Sequence, residues 1–148
     1  MPARQVAGPA VDPQVDVLVR QVLRERITAG DIPDFGLVRG NRPILVRREL
    51  DEGVELTEAA LPRLHGVTLS LIGVREAYAR AAATHGGVTF LTVGPLTIRG
   101  DTATLLLGVD VAEPPGSGVK MCCCARVVQY VRAGTQWRFA GPGEGLCS

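Results

Sequence analysis

The sequence predicts one α+β domain in which an N-terminal amphipathic helix and a short second helix pack on a curved antiparallel sheet of four to six strands. Three patterns indicate this: an apolar stripe at helical spacing over 13–29, a second helical pattern over 74–84, and alternating apolar segments joined by short turns over 88–139. Short turns connect antiparallel neighbours, whereas parallel neighbours need crossovers. The sheet needs a cover for its apolar face, and the first helix is the natural one.

The first helix has the clearest start and stop signals. Asp12 is placed to cap its N-terminus, Pro13 suits the first helical position, and Gly30 suits the C-terminal stop. Apolar side chains recur every three or four residues and form one stripe: Val15, Leu18, Val19, Val22, Leu23 and Ile27. The opposite side is polar and consists of Gln14, Asp16, Arg20, Gln21, Arg24 and Glu25.

The remaining chain divides into strands, turns and two tails. Residues 12–140 are predicted to form the domain, with a flexible tail at 1–11 and a glycine-rich C-terminal tail at 141–148. A short helical turn is predicted at 56–61. Strands are predicted at 43–50, 67–71, 88–93, 96–98, 103–111, 119–132 and 136–139.

Charge and hydropathy exclude several classes of function. The 148 residues include 16 basic and 15 acidic ones, a net charge of +1, so neither a nucleic-acid partner nor a membrane surface is predicted. Little charge repulsion opposes self-association, which leaves a homodimer open. Without an apolar run long enough to cross a membrane or an apolar leader at the start, the chain is predicted to be soluble and cytoplasmic. An exported mature form with its signal removed is the alternative.

Three of the four cysteines are adjacent: Cys122, Cys123 and Cys124, with Cys147 near the end. Neighbours on a strand point to opposite faces, so the run is no disulfide framework, and it does not match the paired spacing of zinc sites. One hypothesis is a thiolate cluster of Cys122 and Cys124 with Cys147 or a histidine such as His85. We prefer the other, in which these cysteines are small buried apolar residues, and we predict no metal or cofactor. Free thiols would favour a reducing compartment, whereas a bridge from Cys147 to Cys122 or Cys124 would tie the C-terminal segment to a neighbouring strand in an oxidising one.

The order of elements and two hairpin sequences resemble the ketosteroid-isomerase and nuclear-transport-factor-like superfamily of cystatin-like α+β domains. The hairpins are Leu96-x-Ile98-x-Gly100-Asp101-x-Ala103 and Gly134-x-x-Trp137-x-Phe139. The resemblance implies a cone-shaped pocket, in which the superfamily's enzymes use a carboxylate with a tyrosine or a second acid. The candidates for these roles are Asp34, Asp101, Asp110, Tyr78 and Tyr130, and none of them matches a family motif. Asp101 is expected to serve its turn, and both tyrosines are expected to be half-buried with the hydroxyl at the rim.

The remaining polar residues form no reactive constellation. His65 and His85 are expected on the surface, His85 at the end of the second helix, and no phosphate-binding loop is present. The densest basic stretch, Arg47-Arg48 near Arg39 and Arg42, is interpreted as a solvated strand end. The function expected is therefore a non-catalytic binding or protein-interaction module, with a protein partner, a second copy or a small-molecule ligand. The alternative is an isomerase- or hydratase-like enzyme with a cone-shaped pocket.

Overall fold

The computed structural model describes residues 10–33, 43–51, 53–117 and 124–147, and it confirms the α+β class. The elements in chain order are β1 (Ala10–Val11), α1 (Pro13–Ala29), β2 (Ile44–Arg47), β3 (Glu49–Asp51), β4 (Val54–Glu55), a 3-10 helix (Glu58–Ala60), β5 (Leu69–Ile72), α2 (Val74–Thr84), β6 (Val88–Thr92), β7 (Leu96–Arg99), β8 (Thr102–Ala112), β9 (Cys124–Ala133) and β10 (Gln136–Cys147).

The main sheet has seven strands in the order β10-β9-β8-β6-β2-β5, and β7 also pairs with β8. The pairs among β6, β7, β8, β9 and β10 are antiparallel, as predicted, and short turns join β7 to β8 and β9 to β10. Strand β2, however, runs parallel to both β5 and β6. The sheet is therefore mixed and larger than the antiparallel sheet of four to six strands that was expected. Parallel strands cannot be joined by a tight turn and need a longer connection. The segment that contains β3 and β4 connects β2 to β5, and α2 connects β5 to β6 on the other side of β2.

Helix α1 begins and ends where its sequence signals predict. The Asp12 side chain accepts a hydrogen bond from the Gln14 N–H at 2.9 Å, and Gly30 closes the helix in the left-handed conformation with φ of 69°. All six residues of the predicted apolar stripe are buried. Asp16 is an exception to the polar side because it is only 4% exposed. Its carboxylate accepts hydrogen bonds from the N–H and the hydroxyl of Thr57. Because Thr57 caps the 3-10 helix, these bonds hold α1 against that helix.

The two helices cover different faces of the sheet. Helix α1 packs on the face that carries Val46, Leu105 and Tyr130, whereas α2 packs its alanines against a second cluster that includes Phe90. Tyr78 does not lie on the buried side of α2 with those alanines, because 52% of its surface is exposed. Thus α2, which the sequence predicted correctly over 74–84, does not help α1 to cover the first face.

Both predicted tails contain ordered strand. Ala10–Val11 pairs in parallel with Val54–Glu55 in a small sheet, where the backbone N–H of Ala10 donates to the carbonyl oxygen of Gly53 at 2.7 Å. At the other end, β10 continues through Cys147 along β9. Its glycines and proline are accommodated because the ladder shifts register twice, after Phe139 and again after Pro142. Strand pairing thus extends into the segments predicted as tails at 1–11 and 141–148, of which residues 1–9 and 148 lie outside the described part.

Three further features concern the connections and helix lengths. The interruption between the strands predicted at 88–93 and 96–98 is Gly94-Pro95, whose peptide bond is cis, and the flanking strands β6 and β7 both pair with β8. The start of the cysteine-bearing strand, predicted from residue 119, lies outside the described residues up to 123. Neither of the described helices combines the length and the apolar character needed to cross a membrane.

Candidate functional site

The acids and tyrosines singled out in the sequence do not gather in one place. Asp101 lies in the exposed turn between β7 and β8, where its carbonyl oxygen accepts from the Arg132 N–H at 2.7 Å, in keeping with a turn role. Asp110 lies on β8 and accepts a hydrogen bond from the Val111 N–H. Tyr78 is exposed on α2, and Asp34 is outside the described residues. The only tyrosine in a polar interior contact within the described part is Tyr130.

Tyr130 is completely buried between β9 and α1, which corrects the expectation of a half-buried ring with its hydroxyl at the rim. Its hydroxyl donates to Oε1 of Glu25 at 2.8 Å. Burial raises the pKa of the phenol above its ordinary value, and the hydrogen bond to Glu25 and its negative charge raise it further. The charge of Arg26 partly opposes this effect. The hydroxyl is therefore held protonated.

Glu25 belongs to a short polar row that joins α1 to the β9–β10 hairpin. Its other oxygen accepts from the amide nitrogen of Gln21 at 3.2 Å, and the same nitrogen donates to the carbonyl oxygen of Trp137 at 2.6 Å. Arg26 places its guanidinium 3.8 Å from the centre of the Phe139 ring. These contacts fix the helix on the hairpin and set the position of the side chains on the outer side of α1.

An open groove of about 320 Å³ runs along that outer side. It is lined by five residues of α1 and by one at the start of β10: Val17, Arg20, Gln21, Arg24, Glu25 and Gln136. Arg20 and Arg24 are four residues apart and so lie on one side of the helix. Neither makes an ion pair with a residue that the structure describes. Val17, which is 52% exposed, contributes an apolar side chain to the lining of the same groove.

The hairpin beside this groove carries a further cation. The guanidinium carbon of Arg132 lies 4.7 Å from the centre of the Trp137 ring, which holds the exposed arginine against a partly buried aromatic side chain. The groove and the hairpin therefore present positive charge beside apolar surface. The sequence already placed Arg20 and Arg24 on the polar side of α1, and their spacing of four residues indicated that they lie on the same side of the helix. The role of Gln21 and Glu25 depends on the distant strands β9 and β10.

The cysteine and histidine candidates do not form a metal site within the described residues. Cys124 is buried, as preferred, and it is disulfide-bonded, which was left open as the alternative to a free thiol. The backbone of Cys147 pairs with that of Cys124 across β9 and β10. Cys122 lies outside the described residues. His85 ends α2 in the left-handed conformation with φ of 55°, as expected for a helix end.

The basic stretch contains one residue with an unexpected environment. Arg39 and Arg42 lie outside the described residues, but Arg47 ends β2 with its Nε buried and without a hydrogen-bond partner. Both carboxylate oxygens of Glu49, two residues later, accept from the Val74 N–H, at 2.8 and 3.1 Å. The interpretation as a wholly solvated strand end is thus wrong for Arg47.

Comparison with known proteins adds no functional assignment. No protein-family model matches the chain, and no curated protein is significantly similar to it. The fold and these local sites are therefore the basis for a functional argument: an α+β domain with an arginine-bearing groove on its first helix.

Proposed function

We propose that this protein is a non-catalytic interaction module that binds an acidic segment of a partner protein in the groove along α1. The observation that supports this most directly is the pair Arg20 and Arg24, which face one groove without an acidic partner among the described residues. Glu25 lines the same groove, but its two oxygens are engaged by Tyr130 and Gln21. The charge available to a ligand is therefore positive.

The shape of the groove favours an extended peptide over an enclosed small molecule. Small-molecule sites are usually concave and mainly apolar, whereas this groove is open and lined mainly by polar and charged side chains. Guanidinium groups bind carboxylates in a planar, two-bonded geometry, which suits glutamate and aspartate side chains. Val17 offers one contact for an apolar residue of the peptide.

A binding assay with charge-matched variants tests this proposal. A fluorescein-labelled peptide of alternating glutamate and leucine is titrated with the protein, and a peptide with lysine in place of glutamate serves as the reversed-charge probe. We expect Arg20→Gln with Arg24→Gln to weaken binding of the acidic peptide by roughly 2- to 30-fold, since exposed ion pairs contribute about 0.2–1 kcal/mol each. The control removes two exposed arginines elsewhere, Arg63→Gln with Arg75→Gln.

Three results would contradict the proposal. They are equal binding of the acidic and the basic peptide, equal weakening by the control pair, and an affinity for the acidic peptide that does not fall as salt is added. The last follows because exposed charge pairs are screened within about 10 Å at moderate ionic strength.

The alternative function, an isomerase- or hydratase-like enzyme, draws on the Tyr130–Glu25 pair, which combines a tyrosine and a carboxylate. In such an active site the Tyr130 hydroxyl would have to contact the substrate. Here the hydroxyl is completely buried and already donates to Glu25, so we prefer binding to catalysis. An enolisable ketone whose exchange with solvent deuterium was accelerated by the protein, and not by Tyr130→Phe, would favour the enzyme.

Self-association is a second interaction that we propose, through the part of the sheet opposite α1. Leu106 and Val127 are partly exposed there, neighbours across β8 and β9, and Val131 on the same face is 40% exposed. A net charge of +1 gives little repulsion between two copies. Size-exclusion chromatography with light scattering should find a dimer that Val131→Lys disrupts, and a monomer at high concentration would overturn this expectation.

A further inference from the structure

A second cavity, of about 230 Å³, lies on the other side of the sheet from α1. Its base is a row of residues across four strands. The parallel register of β2 and β6 sets Arg47 beside Thr92, Thr92 faces Gly108 on β8, and Gly108 faces Ala125 on β9. Because side chains alternate along a strand, these positions share the face that α2 covers in part. The cavity thus lies at the carboxyl ends of the two parallel strands β2 and β6.

The glycine in this row is required by the backbone. A Cβ atom on Gly108 would collide with the carbonyl oxygen of Cys124 and would lie 2.9 Å from the Cα atom of Ala125. No larger residue therefore fits there without moving β8 away from β9. Gly108 thus lets β8 and β9 approach closely behind the cavity, which is lined by side chains on either side of it, including Thr92, Leu106 and Ala125.

The charges around the cavity are not equally engaged. Both oxygens of Glu49 accept from the Val74 N–H at the start of α2, where a negative charge is stabilised. Asp110 accepts from the Val111 N–H at 2.7 Å and takes part in a further interaction. The Nε of Arg47, in contrast, is buried and has no hydrogen-bond partner. The terminal nitrogens of its guanidinium form no hydrogen bond or ion pair with a described residue, so the positive charge of Arg47, which lines the cavity, is available to a ligand.

We propose that this cavity binds a small monocarboxylate through Arg47. The guanidinium forms charge-assisted hydrogen bonds with the carboxylate through its terminal nitrogens, and Thr92, which lines the same cavity, carries a hydroxyl that can donate a further one. Glu49 and Asp110, also in the wall, are acidic and repel a doubly charged anion more strongly than a singly charged one, so the site favours a monoanion over phosphate. This site is distinct from the groove on α1, which lies across the sheet.

Titration of the isotope-labelled protein, followed by NMR, tests the proposal. The probes are acetate, lactate, inorganic phosphate and lactamide, which is the uncharged counterpart of lactate. We expect saturable shifts at the backbone amides of Arg47, Thr92 and Ala125 with the two carboxylates at millimolar concentration. Arg47→Met should weaken lactate binding by about tenfold or more, and Arg75→Met, which removes an exposed arginine on α2, should leave it unchanged.

A second variant keeps the result interpretable if Arg47→Met does not fold. Arg47→Lys preserves the charge but lacks the planar guanidinium, and it should bind lactate more weakly than the native protein. Any of four results would overturn the proposal: no saturable shifts with either carboxylate, equal affinity for lactamide and lactate, phosphate bound more tightly than lactate, or unchanged lactate affinity in both Arg47 variants.

Discussion

Replacement of Tyr130 by phenylalanine would measure how strongly the polar row holds α1 on the sheet. The hydroxyl of Tyr130 is completely buried and donates to the Glu25 carboxylate at 2.8 Å. A hydrogen bond to a charged group contributes about 1.5–3 kcal/mol, but Glu25 is partly exposed and water can replace the lost donor. We therefore expect Tyr130→Phe to lower the free energy of unfolding by about 1–2 kcal/mol at neutral pH.

The same substitution should change how stability depends on pH. The pKa of Tyr130 is raised in the folded protein, chiefly by burial, above the ordinary value of 10.0. Above about pH 10 the unfolded chain loses this proton while the folded chain keeps it, so the stabilisation by Tyr130 falls as pH rises further toward the folded pKa. One proton corresponds to about 1.4 kcal/mol per pH unit. The difference between the native protein and Tyr130→Phe should therefore shrink by about 1.4 kcal/mol between about pH 8 and pH 11.

Urea unfolding at these two pH values provides the measurement. Tyr78→Phe is the matched control, because it removes an exposed hydroxyl and should alter stability by no more than about 0.5 kcal/mol at neutral pH. A difference between native protein and Tyr130→Phe that stays constant from about pH 8 to pH 11 would refute the reasoning. It would mean that Tyr130 ionises in the folded state as easily as in the unfolded state.

Three further predictions concern the stability of the fold. Val22→Asp should unfold the domain, because Val22 is fully buried against the sheet and a buried charge costs several kcal/mol, whereas Val17→Asp on the exposed side should change the melting temperature little. Gly94→Ala should destabilise by about 1–3 kcal/mol, since its Cβ would lie 2.5 Å from a backbone oxygen, while Gly86→Ala, with no atom nearer than 3.9 Å, should not. Asp16→Ala should lower the free energy of unfolding by about 2–3 kcal/mol, measured by urea titration, because two donors lose their charged acceptor.

Local signals predicted the helices well because their determinants are neighbours in sequence. Asp12 and Gly30 set the ends of α1 through contacts within a few residues. The same holds for the hairpins β7–β8 and β9–β10, where a tight turn brings the next strand alongside the previous one. The polar side of α1 was less predictable. Asp16 was indistinguishable from its exposed neighbours until its contact with Thr57, 41 residues away, was known.

The parallel pairs could not be predicted from the same signals. Residues 43–50 and 67–71 indicated strands, but a strand pattern does not name its partner. The pairing of β2 with β5 and β6 depends on two crossovers whose lengths fit either a parallel or an antiparallel return. Similarly, the glycine-rich end was interpreted as a tail because glycine weakens strands, whereas pairing along β9 with two register shifts keeps it in the sheet.

The two proposed sites also differ in how far the sequence could reveal them, and this difference makes them separable by experiment. Arg20 and Arg24 are visible as a pair on one helix, and their groove depends on α1 and β10. Arg47 gains its environment only from the parallel register with β6 and from Gly108 on β8. Since the sheet separates the two sites, substitutions at one should not alter binding at the other. Loss of lactate binding in the Arg20 and Arg24 variant would therefore mean that a single charged surface, and not a defined cavity, attracts the anion.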